Sequence, residues 1–230
     1  MSKKDRQTIK DISFMKKERG YRYSVDPFLL ADFVDTEGME KGADMGTGNG
    51  IIAILLAAVN PQIDMVGIEI QEGLAEEADK NVALNGLSER VKIVRADIND
   101  SRKLLRGGSF DFVVGNPPYR RSNDGKINKD GEEAIACHEI KISLKDYMRA
   151  CAKTVSDKGK VSIIYHPYRL SELMSEMRES KLRPSRIRFV HSNLASEAGM
   201  VMVEGIKGGN NDMVVLPPLY IYNGNGDYTG

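Results

Sequence analysis

The chain has 230 residues, of which 41% are hydrophobic and 29% charged, and this suits one soluble domain with a sizeable core. Thirty-three basic residues balance 33 acidic ones, so the chain is not coated in positive charge, although a local basic face stays possible. No apolar run approaches the roughly 20 residues of a membrane span, and the N-terminus lacks the apolar segment of a signal peptide. The two Cys and three His residues form no metal-ligand spacing. We therefore expect a cytoplasmic protein without metal or membrane, and the oligomeric state stays open.

The N-terminal region is basic and then forms a short helix. Residues 1–20 are polar and basic, which indicates either a frayed, solvated terminus or an arm that faces nucleic acid. Asp26 is the expected N-cap of the helix, because Pro27 then occupies the first helical position, where a missing N–H is harmless. The segment from Ser24 to Asp26 either caps this helix or borders a ligand pocket.

A glycine-rich loop follows the first predicted strand and opens a nearly all-apolar helix. Gly46, Gly48 and Gly50, with Thr47 between them, permit positive φ and close approach of the backbone to a ligand. The free N–H groups of the following helix lie beside them. Such a turn alone is a weak signal, because NAD enzymes share it. Asp44 and the G-x-G-x-G spacing resemble instead the loop of methyltransferases that use S-adenosylmethionine (SAM), whereas dinucleotide loops have G-x-G-x-x-G spacing.

The next two predicted strands each end at an acidic residue. Glu69 lies about 20 residues beyond the glycine loop, where an acid can accept both ribose hydroxyls, with Ile70 beside it. This acid indicates a nucleoside without separating NAD from SAM, and a surface acid is the alternative. Asp97 resembles the residue that accepts from the adenine amino group of SAM, with the Ile98 N–H reaching a ring nitrogen. A helix cap is the alternative for Asp97.

The fourth predicted strand, residues 110–115, ends at an Asn-Pro-Pro-Tyr sequence. Two successive prolines end the strand because they lack the N–H that the ladder needs. The Asn116 side chain and the Pro117 carbonyl are then two acceptors for an –NH2 group, and the Tyr119 ring is a platform for a flat group. The motif resembles that of SAM methyltransferases that modify a planar amine. The alternative is a strand-ending turn with a packed Tyr.

A polar loop rich in Asn and Gly follows this motif over residues 120–131. Its position next to the proposed target pocket suits a lid or a segment that contacts RNA. Arg120, Arg121 and Lys126 are its candidate phosphate contacts, because any substrate that enters beside Tyr119 must pass them.

The C-terminal part of the chain completes the predicted sheet. Arg186 and Arg188 alternate with apolar residues, which indicates a strand with an exposed, solvated basic side. The apolar residues 214–222 indicate a tail that docks on the body. The other predicted elements are a helix capped by Ser143, a strand over residues 160–166, a helix over residues 169–181, and a pair of strands over residues 184–191 and 198–205.

Alternating strands and helices predict an α/β fold with a mostly parallel sheet covered by helices on both faces. Ligands bind such sheets at the carboxyl ends of the strands, and Asp44, Glu69, Asp97 and Asn116 each fall at such an end. The terminal strand pair resembles the antiparallel hairpin of the seven-stranded, Rossmann-like sheet of class I SAM methyltransferases. We expect a single domain with three parts: an arm and flanking helix over residues 1–35, a catalytic part over residues 36–206, and a tail over residues 207–230.

Segments spread over nearly the whole chain resemble the bacterial tRNA1(Val) adenine-N6-methyltransferase family: residues 23–30, 44–50, 69–71, 116–119, 136–140 and 216–219. The resemblance implies an enzyme that uses SAM to methylate N6 of an adenine beside the anticodon of tRNA, without a metal. It implies target chemistry at Asn116, Pro117 and Tyr119. The SAM contacts that it implies are Ser24, Asp26, Asp44, Gly46, Thr47, Gly48, Gly50, Glu69, Ile70, Asp97, Ile98 and Asn116.

Two other functions stay open at this point. A protein glutamine N5-methyltransferase also uses Asn-Pro-Pro-Tyr on a planar amide, but it brings an added N-terminal helical domain, for which we expect no room before the glycine loop. A non-catalytic module that senses SAM or binds RNA would keep the pocket without turnover. The intact acceptor motif argues against such a module.

Overall fold

A computed structural model describes residues 12–15, 24–100, 110–117, 142–210, 212–223 and 227–229. The helices in these ranges are α1 (Asp26–Phe33), α2 (Ile51–Val59), α3 (Glu72–Leu84), α4 (Leu144–Thr154) and α5 (Leu170–Glu179). The strands are β1 (Lys41–Met45), β2 (Asp64–Glu69), β3 (Val91–Arg95), β4 (Phe110–Gly115), β5 (Val155–Tyr165), β6 (Leu182–His191), β7 (Ala198–Lys207), β8 (Val214–Val215) and β9 (Leu219–Tyr220).

These strands form one nine-stranded sheet in the order β3-β2-β1-β4-β5-β7-β6-β8, with β9 also paired to β6. The first five strands in this order are parallel. Strand β7 is antiparallel to both of its neighbours, β5 and β6. The predicted α/β fold and its terminal antiparallel hairpin are thus confirmed. The predicted docking of the tail is also confirmed, because β8 and β9 extend the expected seven strands by pairing with β6.

One layer of helices covers each face of the sheet, and consecutive side chains of β4 pack against opposite layers. Phe112 and Val114 pack in the cluster that contains α2 and residues of α1 and α3. Val113, which points to the opposite face, packs in the cluster that contains α4 and α5. Helix α2 is buried over Ile51 to Ala58 because it lies between the sheet and its neighbouring helices. No helix in the described ranges is long and apolar enough to cross a membrane.

The start of α1 differs from the prediction by one residue. Val25, and not Asp26, is the N-cap, because the Val25 carbonyl already accepts from the N–H groups of Phe28 and Leu29 at 3.1 Å each. Asp26 is the first helical residue, and its N–H donates to Ser24 Oγ at 3.3 Å. The predicted cap of α4 is confirmed, since Ser143 Oγ accepts from the Asp146 N–H at 3.1 Å.

Strand β5 begins five residues before its predicted start at residue 160. The chain passes directly from α4 into the strand at Val155 without the expected loop. Lys158 adopts a positive φ of 67°, and the register with β4 shifts near this point. The sequence pattern therefore indicated a turn where the strand instead contains an irregularity.

The basic residues of β6 do not form the exposed side that the sequence indicated. Arg186 donates to Glu204 from Nε at 3.1 Å and from Nη2 at 2.9 Å, and Glu204 is only 2% exposed. The guanidinium also lies 4.9 Å from the centroid of the Phe33 ring and donates to the Phe33 carbonyl. Arg186 thus joins β6 and β7 to the end of α1, and its charge is compensated inside the protein.

Candidate active site

Four of the predicted site residues lie in a row along the carboxyl edge of the sheet. Asp44 is paired in register with Gly67 of β2 and Val114 of β4, so β1 lies between these two strands. Asp97 follows β3, and Asn116 follows β4 directly. The order along the edge is therefore Asp97, Glu69, Asp44, Asn116. Adjacent strands are about 4.8 Å apart, so the row is about 15 Å long.

The glycine loop folds over the end of β2 and leaves space above its own backbone. Gly46, Gly48 and Gly50 all have positive φ, of 74°, 57° and 86°. A Cβ atom on Gly46 or Gly48 would meet nothing within 4 Å, whereas one on Gly50 would lie 3.3 Å from the Ala78 Cβ. The first two glycines thus give a ligand open access to the backbone, while the third permits close packing of α2 against α3.

Asp44 is a fully buried acid below this loop. Thr47 Oγ1 donates to its Oδ2 atom at 2.6 Å, while Oδ1 is buried and has no hydrogen-bond partner among the described residues. Burial raises the pKa of the Asp44 carboxyl to about 7, although the hydrogen bond from Thr47 and the backbone N–H of Ala53 act in the opposite direction. A buried carboxylate with an unsatisfied oxygen suits a cation, and the methionyl part of SAM carries a sulfonium and an ammonium group.

Glu69 supports the loop and keeps capacity for a ligand. Its Oε2 accepts from the Gly48 N–H and its Oε1 from the Gln71 N–H, both at 2.9 Å. Each carboxylate oxygen has a second lone-pair direction, so a ribose diol could add two hydrogen bonds. Ile70, the next residue, has a 45% exposed side chain that a flat base would cover. The acid and the apolar side chain together fit a nucleoside.

Asp97 forms a local turn with Asn99, and the segment that it would cap as a helix N-terminus, from residue 101, lies outside the described residues. Its Oδ1 accepts from the N–H of Asn99 at 2.8 Å and from Asn99 Nδ2 at 3.1 Å. Ile98, beside it, is half-buried and packs against the core cluster on the α4 side. This local turn is compatible with a contact between the remaining carboxylate oxygen and a ligand.

Asn116 is half-buried and Pro117 is buried, immediately beyond the last residue of β4. Tyr147 of α4 passes below this point and donates its hydroxyl to the Met45 carbonyl at 2.6 Å. A Cβ atom on Gly115 would lie 1.8 Å from the Tyr147 hydroxyl oxygen, so only glycine fits there. Tyr147 thus sets the relative position of the glycine loop and Asn116, a role that was not predicted from the sequence.

A second feature that was not predicted joins the N-terminal region to the glycine loop. Residues 12–15 are not frayed, because Asn85 bonds to both the N–H and the carbonyl of Ser13, at 2.9 and 2.8 Å. Asn81 accepts from the Met15 N–H and donates to the Asn49 carbonyl in the loop, at 2.9 Å each. Asn81 is fully buried. The spacing of the two Asn residues on α3, four positions apart, was the only sequence signal.

The remaining predicted site residues have no described geometry that tests them. Tyr119, Arg120, Arg121 and Lys126 lie outside the described residues. Within the described residues of the whole chain, no group of three or more His, Cys, Asp or Glu side chains is arranged to hold a metal ion.

The strand order with its reversed β7, together with the glycine loop, defines a class I SAM-dependent methyltransferase. Residues 26–136 match the family described as Methyltransferase small domain. The chain is 33% identical over 188 residues to a tRNA1(Val) (adenine(37)-N6)-methyltransferase of Porphyromonas gingivalis. The aligned residues cover 74% of this chain and 73% of that protein. The chain belongs to the tRNA1(Val) (adenine(37)-N6)-methyltransferase family.

Two further comparisons concern the family and the fold, respectively. A protein of the same description from Trichodesmium erythraeum is 30% identical over 159 residues, which span 68% of this chain and 65% of that protein. The structure of a predicted O-methyltransferase from Agrobacterium tumefaciens superimposes with a TM-score of 0.69 over 88% of this chain and 91% of that one. Its sequence identity of 22% supports the shared fold alone.

Proposed function

We propose that the protein transfers a methyl group from SAM to N6 of an adenine in tRNA, the adenine beside the anticodon of tRNA1(Val), in the cytoplasm. The position of Asn116 carries this proposal. Its side-chain amide lies directly after β4, next to β1 and its glycine loop, at the end of the row of polar residues. The names of the relatives from Porphyromonas and Trichodesmium support the choice of substrate.

The order of the row matches the order of the chemical groups that it would bind. Asp97 would accept from the adenine amine of SAM, and Glu69 would accept from the ribose hydroxyls. Asp44 would face the methionyl cation from below the loop. SAM supplies a methyl group on a positively charged sulfur, and the next position in the row is Asn116. Bound in this order, SAM would present its methyl group next to the residue that would hold the target amine.

The exocyclic amine of adenine is a weak nucleophile, because its lone pair is delocalised into the ring. Asn116 Oδ1 and the Pro117 carbonyl would accept its two hydrogens and favour a more pyramidal nitrogen, whose lone pair then points at the methyl group. Transfer would form the N–C bond as the S–C bond of SAM breaks, and the amine would release one proton to solvent. Positioning and preorganised acceptors therefore supply most of the catalysis.

The target base must leave its stack to reach this pocket. Tyr119 is proposed to stack on the extruded adenine, and base–aromatic stacking is worth about 1–3 kcal/mol. Arg120, Arg121 and Lys126 follow it in the sequence and are proposed to contact the phosphates of the same strand.

The test of this proposal is the Asn116→Ala variant. We expect methyl transfer to tRNA to fall about 10²–10³-fold, the usual cost of removing one preorganised polar contact. The affinity for SAM, measured by calorimetry, should stay within a few fold, because Asn116 serves mainly the target amine. Asn60→Ala is the matched control, since Asn60 is equally half-buried but follows the other end of α2. An Asn116→Ala enzyme with most of its turnover would refute the acceptor role.

A further inference from the structure

Strand β5 is followed by a pair of stacked rings, one half-buried and one exposed. His166 and Tyr168 follow Tyr165, the last residue of β5, and we call them the aromatic step. Their ring centroids are 5.3 Å apart and their planes differ by 21°. Tyr168 is 69% exposed, although a large aromatic side chain is normally more buried than this. None of the proposed catalytic roles uses these two residues.

Side-chain contacts on both sides of Tyr168, at His166 and at Arg169, hold the aromatic step in place. His166 Nδ1 lies 3.2 Å from the Gly199 carbonyl of β7, which fixes the imidazole against the neighbouring strand. Arg169 is only 8% exposed, bonds to Glu172 through Nε and Nη2, and lies 5.0 Å from the centroid of the Tyr165 ring. The guanidinium charge is thus compensated. Tyr168 is therefore presented on a rigid turn without a net charge of its own.

The aromatic step lies next to the target-amine position. Gly115 of β4 is in register with Ile163 of β5, so Asn116 is level with Ile164 and the step begins two residues further on. With strands about 4.8 Å apart and a rise of about 3.3 Å per residue, the backbones of Asn116 and His166 are about 8 Å apart. Both strands are parallel, so both sites face the same edge of the sheet.

We propose that the aromatic step stacks on a base of the RNA next to the target adenine. This inference rests on the proposed function. When one adenine leaves its stack, the neighbouring base loses a stacking partner, and an exposed ring on the turn beside the target-amine position can replace it. A planar and rigid aromatic surface suits a base better than it suits a phosphate. Tyr119 would then hold the target and Tyr168 its neighbour, so the two residues have different kinetic effects.

The test compares Tyr168→Ala, Tyr168→Phe and the wild type on an unmodified transcript of tRNA1(Val). Loss of one base–aromatic stack should raise KM for the transcript about 5- to 140-fold, while kcat and SAM affinity stay within a few fold. Tyr168→Phe keeps the ring and should restore KM to within a few fold of the wild type. Tyr228→Ala is the matched control, because Tyr228 is 72% exposed and also contacts a second ring, that of Tyr222 in the tail, at a centroid distance of 5.1 Å and a tilt of 42°.

A direct readout of stacking uses a transcript with 2-aminopurine beside the target adenine. Its fluorescence should be quenched in the complex with wild type and with Tyr168→Phe, but not with Tyr168→Ala. A wild type that methylates the transcript, with Tyr168→Ala unchanged in KM and in quenching, would overturn this inference and leave the proposed function intact. An equal loss in Tyr228→Ala would overturn it as well. A wild type that neither binds nor methylates the transcript, or that methylates protein instead, would refute the proposed function itself.

Discussion

The raised pKa of Asp44 predicts that the affinity for SAM depends on pH. Burial raises the pKa of its carboxyl to about 7, so about nine-tenths of the molecules carry the protonated form at pH 6 and about a quarter at pH 7.5. If the methionyl cation requires the carboxylate, SAM affinity should rise about eightfold over this range. The amino group of SAM titrates near 7.7–8.0 and is about 60–75% protonated at pH 7.5, so a requirement for its charge would lower this rise to about five- to sixfold. Binding at pH 7 should release about half a proton.

Calorimetry of SAM binding from pH 6 to 7.5, in two buffers with different ionisation enthalpies, measures both the affinity and the released protons. Asp44→Asn keeps the shape of the side chain but cannot ionise, so its weaker binding should be independent of pH. Adenosine has no methionyl cation and should bind the wild type with little pH dependence. An equal pH dependence in Asp44→Asn and in the wild type would refute the role of Asp44.

The same pKa shift has a consequence for stability without ligand. In the unfolded chain the Asp44 carboxyl titrates near its ordinary pKa of 3.8, and in the folded protein near 7. The folded state therefore binds more protons between these values. The free energy of unfolding should fall as pH rises from about 4 to 7, by up to ~1.4 kcal/mol per pH unit, and then level off. Asp44→Asn should lack this loss and exceed the wild type in stability at pH 8, as thermal unfolding would measure.

Three other predictions concern RNA binding and stability. Replacement of Arg120 and Arg121 by Ala should reduce the slope of log affinity for tRNA against log salt concentration by about 1.4, since each lost phosphate contact removes about 0.7. The affinity for SAM should not change, and an unchanged slope would mean that the RNA binds elsewhere. Tyr147→Phe should lower the free energy of unfolding by about 1–3 kcal/mol in urea, because the Met45 carbonyl is left buried without its donor; an unchanged midpoint would contradict this. Glu204→Ala should lower the free energy of unfolding by about 3 kcal/mol, because Arg186 then loses its buried partner. Glu197→Ala is the control, since Glu197 is exposed at the β6–β7 turn and should tolerate the same change.

The order of elements and the row of polar residues were predictable because they depend on local patterns. Apolar runs, glycines and prolines mark strands and their ends, and the carboxyl ends of parallel strands share one edge by geometry alone. These two facts are sufficient to predict that Asp44, Glu69, Asp97 and Asn116 lie along the same edge. The chemical role of each residue in the row stays a proposal, because position does not identify a ligand.

The contacts that position the row were not predictable, because they join distant parts of the chain. Tyr147 bonds to a carbonyl 102 residues away, and Asn81 bonds to an N–H group 66 residues away. No short sequence window contains both partners. The error at β6 has the same origin: Arg186 alternates like a solvated residue, but Glu204 on the paired strand compensates its charge. The start of β5 was missed because Lys158 followed by Gly159 indicates a turn, whereas Lys158 adopts its positive φ inside the strand.

Methyl transfer to the N6 atom of adenine in tRNA is tested most directly with the purified protein and tritiated SAM. Total tRNA and total cellular protein, both from cells that lack the enzyme, are offered as substrates in parallel. We expect label in the tRNA fraction alone, recovered after nuclease digestion as N6-methyladenosine from one position beside the anticodon of tRNA1(Val), and no label with Asn116→Ala. Label in the protein fraction as N5-methylglutamine, or in tRNA at any atom other than N6 of adenine, would contradict the proposed function.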